Sequence, residues 1–141
     1  MNLGRSVLAP LLPVLAGLAE TGPAPTGYWI NPAASVIVEI SLCGEDHLCG
    51  HVRWASSKAT SDARANGTDP LAGTKLLHEF EPAGQGRWKG RLFVPDLRKT
   101  SPAELRLTGD GQLKIIGCVA GGIFCKSQLW RRIDLSAVPG S

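Results

Sequence analysis

The sequence predicts an all-β protein, an up-and-down antiparallel β-barrel of about eight strands held by disulfides. Three observations predict it. Apolar residues recur with a period of two through most of the chain after Gly27, the mark of strands buried on one face. Four cysteines fall into two local pairs, Cys43 with Cys49 and Cys118 with Cys125, each enclosing a short turn-like stretch. The chain opens with an apolar leader, which directs it to an oxidising compartment where disulfides persist.

Residues 1–19 read as a signal peptide. Arg5 supplies the positive start, Val7 to Leu18 the apolar run, and Gly17-Leu18-Ala19 the small residues before cleavage. The run is too short to span a bilayer, and Pro10 and Pro13 break it. Cleavage near Glu20 and a periplasmic or secreted location are therefore expected. No cysteine adjoins the cleavage point, so no lipid attachment is expected there. Residues 20–26, ETGPAPT, form a flexible lead-in. A single barrel domain then occupies 27–134, followed by a C-terminal tail over 135–141.

Removing the leader takes Arg5 and no acid from the 15 basic and 12 acidic residues, which leaves a net charge of +2. That excess is too small to call for nucleic acid or an anionic membrane as partner. No later apolar run is long enough for a transmembrane helix, so stable membrane insertion is not expected.

The strands follow in order. Val36, Val38, Ile40 and Leu42 alternate with Ile37, Glu39 and Ser41; Leu48, Gly50, Val52 and Trp54 alternate with Cys49, His51 and Arg53. Further strands fit 75–80, 87–94, 112–119 and 124–132, and Leu105 and Leu107 alternate with Glu104 and Arg106. Between Ser56 and Gly73 lies the longest loop, polar and without a clear period, with room for a short helical turn. Gly121-Gly122 reads as a turn between strands.

Register arithmetic tests the cysteine pairs. With Cys43 opposite Cys49 in a hairpin, Ile40 faces Val52, Glu39 faces Arg53 and Val38 faces Trp54. Apolar meets apolar and charge meets its opposite, pairs that stabilise by roughly 0.2–1 kcal/mol each. Farther on, Gly109-Asp110-Gly111 suits a three-residue hairpin loop with a glycine bulge. It places Leu107 on Leu113 and Leu105 on Ile115. With Cys118 opposite Cys125, Leu113 meets Trp130, Ile115 meets Gln128 and Gly117 meets Lys126. Four cysteines allow three connectivities, and the crossed ones stay open at this point.

Several segments resemble a bacterial family, domain-of-unknown-function family 2147. They are Gly27-Tyr28-Trp29; the run from Val36 to Trp54; Asp62 and Asn66 followed by Pro70-Leu71-x-Gly73; Trp88-x-Gly90 with Pro95-Asp96 and Lys99-Thr100; and Gly117-Cys118 through Cys125-x-x-Gln128-x-Trp130-x-Arg132. One departure is Ser101-Pro102, where the family usually has Tyr-Ser. A proline there removes a backbone donor, so that strand is expected to start later or to lie at an edge. The resemblance implies a small exported barrel with a lipocalin-like, calycin-like fold and carries no established activity. Gly27-x-Trp29 is also similar to the signature that opens lipocalin-type barrels. There the Trp closes the base and an Arg of the last strand packs over it, which makes Gly27, Trp29, Trp130 and Arg132 structural candidates.

No cluster reaches the standard of a catalytic motif, so no enzyme is expected. The sequence has no Gly-x-Ser-x-Gly and no phosphate-binding glycine loop. His47 and His51 beside Cys43 and Cys49 offer imidazoles and thiols for zinc, but a disulfide uses both sulfurs, and no metal or cofactor is expected. Arg87, Lys89 and Arg91 on one strand face read as solvated wall. Lys58, Asp62, Arg64, Asn66 and Asp69 in the long loop read chiefly as turn-forming residues.

The expected function is a non-enzymatic binding module for a small apolar or amphipathic ligand. Lys126 and Gln128 are its polar anchors above an apolar lining of Leu105, Leu113 and Ile115. Lys126 would favour an anionic head, giving a lipid-like ligand with its tail inward. The alternative is a solid-packed barrel whose loops dock a cell-envelope protein, with Trp54, Trp88 and Trp130 filling the interior.

Overall fold

A computed structural model of the protein describes residues 24–119 and 124–134. The expected signal peptide (1–19), most of the lead-in, the Gly121-Gly122 turn and the tail (135–141) lie outside the described residues. Eight strands and one helix follow in order: β1 (Gly27–Ile30), β2 (Val36–Leu42), β3 (Leu48–Ala55), α1 (Ser57–Ala65), β4 (Lys75–Pro82), β5 (Arg87–Val94), β6 (Lys99–Leu107), β7 (Leu113–Val119) and β8 (Phe124–Arg132). Each strand pairs antiparallel with the next, and β1 also pairs with β8, so the sheet is a closed barrel in simple up-and-down order. Closure removes both edges.

Inward residues of alternate positions form one core: Trp29, Val38, Ile40, Val52, Leu77, Phe80, Leu105 and Leu113 are all buried. Gly90 makes room for part of it. A Cβ at Gly90 would lie 2.7 Å from the Phe80 ring and 2.8 Å from the His78 carbonyl oxygen, so only a glycine lets the ring lie flat on β5.

Both local disulfides are present, Cys43–Cys49 and Cys118–Cys125. The second hairpin has the expected register: Leu107 opposite Leu113, Leu105 opposite Ile115, Leu113 opposite Trp130, Ile115 opposite Gln128 and Cys118 opposite Cys125. The first does not. Ile40 stands opposite Gly50, Glu39 opposite His51 and Val38 opposite Val52, a slip of two from the expected ladder. Cys43 donates its N–H to the His47 carbonyl, so the bridge to Cys49 runs diagonally. A slip of two keeps every side chain on its face, and Arg53 still reaches Glu39 at 2.9 Å across the diagonal.

Beyond Val52 a β-bulge adds one residue to β3, so that Ile37 pairs with Trp54. The bulge reverses the faces that follow. Ala55 turns inward, whereas Trp54 joins Ile30, Ile37, Tyr28 and Ile133 in a second apolar cluster on the outer wall. Trp54 is therefore not interior filling; Trp88 and Trp130 pack on the core.

Two other expectations are refined. The long loop carries a helix of nine residues, α1, capped by the Ser56 hydroxyl, which accepts from the Ala59 N–H at 3.1 Å. And β6 starts at Lys99, ahead of Pro102. Pro102 pairs with Arg91 of β5, while pairing with β7 begins only at Ala103. The proline thus sits where the strand has a neighbour on one side only.

Candidate functional site

The barrel has unlike ends. The tight β2–β3, β4–β5 and β6–β7 turns gather at one, where Pro25 and Thr26 also lie. Trp29 is completely buried there, and its Nε1 donates to the Pro25 carbonyl at 2.8 Å. The Arg132 guanidinium lies 4.3 Å from the Trp29 ring centroid, and its Nη1 donates to the Thr26 carbonyl at 2.6 Å. Gly27 has φ +124°, and a Cβ there would stand 2.6 Å from Arg132 Nη1. These residues seal the end.

The other end gathers the β1–β2 loop, α1 and the β5–β6 turn around an open mouth of about 570 Å³. Asn31, Ser35, Lys58, Asp62, Asp96 and Gln128 supply its polar groups, and Ala34, Val36, Ala59, Leu71 and Pro95 are among its apolar ones. Asn31 Oδ1 accepts from the backbone N–H groups of Ser35 and Val36, which fixes the loop at the rim. Lys58 Nζ donates to Asp62 at 2.8 Å, and that hydrogen bond raises the lysine pKa above its ordinary value.

Below the mouth lies a smaller chamber of about 70 Å³, lined by Trp29, Val38, Ile40, Leu76, Leu77, Leu92, Leu113, Ile115, Gln128 and Trp130. Leu76, Gln128 and Trp130 line both spaces and so form the neck between them. Trp130 Nε1 donates to Gln128 Oε1 at 2.9 Å.

Leu113, Ile115 and Gln128, expected on the sequence as ligand contacts, are thus neighbours in the chamber wall. Leu105 is fully buried in the packed core and lines neither space. Lys126 is exposed one inward position beyond Gln128 on β8 and lines neither space. Trp29, Leu76, Leu92 and the mouth residues Asn31 and Asp96 were not in the expected site. Alternation signals place Leu76 and Leu92 only on a strand; that they meet β8 across the barrel depends on closure.

Outside these spaces, His47 lies 3.6 Å from Glu81 at the closed end, and both are exposed. Burial, then the nearby Arg53 and Lys75, push the His51 pKa down. All four cysteines are paired. Among the described residues no helix is long and apolar enough to cross a membrane.

An eight-stranded up-and-down barrel, sealed at one end by Trp and Arg and open at the other, defines the lipocalin-like class. Solved structures of similar fold include protein HP1028 from the human pathogen Helicobacter pylori, described as belonging to the lipocalin family. The two match with a TM-score of 0.59 and 14% identity, over 79% of this chain and 84% of that one. No curated protein matches the chain. The chain belongs to the family described as uncharacterized protein conserved in bacteria (DUF2147), whose model matches residues 27–132.

Proposed function

We propose that the protein is an exported, non-enzymatic carrier or sensor module that takes a small amphipathic ligand through the open end of its barrel. The observation that carries this reading is the apolar chamber joined to a polar-rimmed mouth by the Gln128–Trp130 neck. An apolar pocket with few convergent polar groups is the usual form of a small-molecule site, at roughly 300–1,000 Å³. The mouth reaches that size and the chamber does not. The reading therefore narrows: a long lipid tail has no room inside, and most of the ligand rests in the mouth. Two local disulfides fit the periplasmic or extracellular setting that the leader implies, with 1–19 as signal and 27–134 as mature barrel.

The alternative, docking to an envelope protein, gains no support from the outer-wall cluster, since Ile30 and Ile37 are already buried and Tyr28, Trp54 and Ile133 are half-buried. Native mass spectrometry of protein purified from the periplasm separates the two. A co-purified small molecule, displaced on titration and quenching tryptophan emission, is expected. If no small molecule is carried and none in a broad amphiphile set perturbs the tryptophans, the binding reading fails.

A further inference from the structure

We propose that the neck reads an acyl carbonyl: a short acyl chain enters the chamber, its carbonyl oxygen accepts from Gln128 Nε2, and the rest of the molecule lies in the mouth. This inference rests on the binding reading above. Trp130 Nε1 is a donor only, so the Gln128 atom it meets at 2.9 Å is the amide oxygen. That bond orients the amide. It leaves Nε2, with two N–H donors, unpartnered among the described residues. Gln128 lines both spaces and its side chain is exposed, so its amide is within reach of a molecule that enters the mouth. The complementary ligand atom is an acceptor.

The chamber limits what lies beyond that atom. Apart from Gln128 its lining is aliphatic or indole. Its volume of about 70 Å³ is about half that of an apolar cavity of about 150 Å³ that takes the six carbons of benzene, so a ring is too large. The fit is a chain of about two or three carbons beyond the carbonyl. Charge around the neck decides between a neutral carbonyl and a carboxylate. Lys58 is committed to Asp62 at 2.8 Å, Asp96 lines the same mouth, and Lys126 stands one inward position beyond Gln128. The two signs balance, so nothing singles out an anionic head, and the neutral acyl group of an amide or ester is the match.

The test titrates wild-type protein with the N-butyryl, N-octanoyl and N-dodecanoyl derivatives of glycine amide, and with N-butyrylglycine carrying its free carboxylate outward. Binding is read from the Trp29 and Trp130 indole N–H resonances and from tryptophan emission. The butyryl compound should bind most tightly and move both resonances, with little difference between its amide and acid forms. Gln128→Glu keeps an acceptor for Trp130 Nε1 but replaces the free donors by a second oxygen. It should weaken the butyryl compound about tenfold or more, the cost of one unmade hydrogen bond, with the melting temperature unchanged. Tightest binding by the dodecanoyl compound, or equal binding by Gln128→Glu, overturns the inference and leaves the binding reading standing. No response to these compounds, when other amphiphiles still shift the tryptophans, also overturns it.

Discussion

At the closed end, Trp29 is wholly buried, its N–H is spent on Pro25, and Arg132 covers its ring. At the open end, a second indole, Trp130, spends its N–H on Gln128, an exposed side chain that lines both the mouth and the chamber. The same residue type serves opposite purposes. The closed end satisfies its polar groups against backbone carbonyls and excludes water. The open end satisfies only half of a polar pair and leaves a donor and an apolar space for something else. Stability concentrates where every group is answered, and binding is possible where one is not.

The largest effect should come from breaking the sealed end. Trp29→Ala removes a fully buried indole and its hydrogen bond, and should lower stability by about 3–5 kcal/mol in urea unfolding. It also opens the chamber floor, since Trp29 lines that space. A loss below 1 kcal/mol would mean that the seal is not a principal source of stability.

Next comes Gly27. Its φ of +124° is strained for any side chain, and a Cβ would collide with Arg132 Nη1. Gly27→Ala should cost about 1–3 kcal/mol. Arg132→Ala should cost about 1–2 kcal/mol through the lost stacking and the lost bond to Thr26. The two should not add. With Arg132 already truncated, the new Cβ meets no guanidinium and only the backbone strain remains. Strict additivity in this double-mutant cycle would show that the glycine does not make room for the arginine.

How far the sequence showed these ends can be argued from two hairpins. The β6–β7–β8 ladder was legible because Gly109-Asp110-Gly111 fixes one turn and Cys118 opposite Cys125 fixes the next. The β2–β3 ladder looked tidier and was two residues out. Alternation reports faces, and a slip of two changes no face, so apolar and charge matches cannot detect it. The Arg53 bulge then hid the true place of Trp54, because no local pattern announces an extra residue that reverses the alternation. The Trp29–Arg132 seal was legible from motif and chain position. The chamber was legible in part. Leu113, Ile115 and Gln128 follow from strand parity, while Trp29, Leu76 and Leu92 join them only through closure. Helix α1 was legible only as room for a short helical turn, because an alanine-, serine- and charge-rich segment with one buried residue, Ala63, has almost no apolar periodicity to set its length.

That helix gives a smaller test of the open end. Ser56→Ala removes the N-cap of α1 and should cost about 1 kcal/mol. The cost should be local. Amide exchange should speed up within 57–65 while the β-strand amides stay protected, because the rim packs on the barrel mainly through Ala63 and Ala59. Equal loss of protection in the strands would make α1 part of the cooperative core and erase the contrast between the ends.

The smallest effect concerns the outer wall near the closed end. Glu104 accepts from Arg106 at 2.6 Å and from Arg87 at 2.9 Å, and its side chain is only 15% exposed. The Arg106 bond, then the Arg87 bond, hold its carboxyl below the ordinary value against the opposing effect of burial. A lowered folded-state pKa means that the unfolded chain binds this proton first. The stability Glu104 contributes is therefore full above the unfolded value near ~4.3 and is lost as pH falls through the folded value. Glu104→Gln should be less stable than wild type at neutral pH, and the gap should shrink in strongly acid solution as wild type loses the charge. Urea midpoints at neutral pH and in the acid range check this. The effect should be modest, because both arginines remain nearly half exposed and salt screens them. A gap that does not change with pH would assign the role of Glu104 to packing between β5 and β6 rather than to its charge.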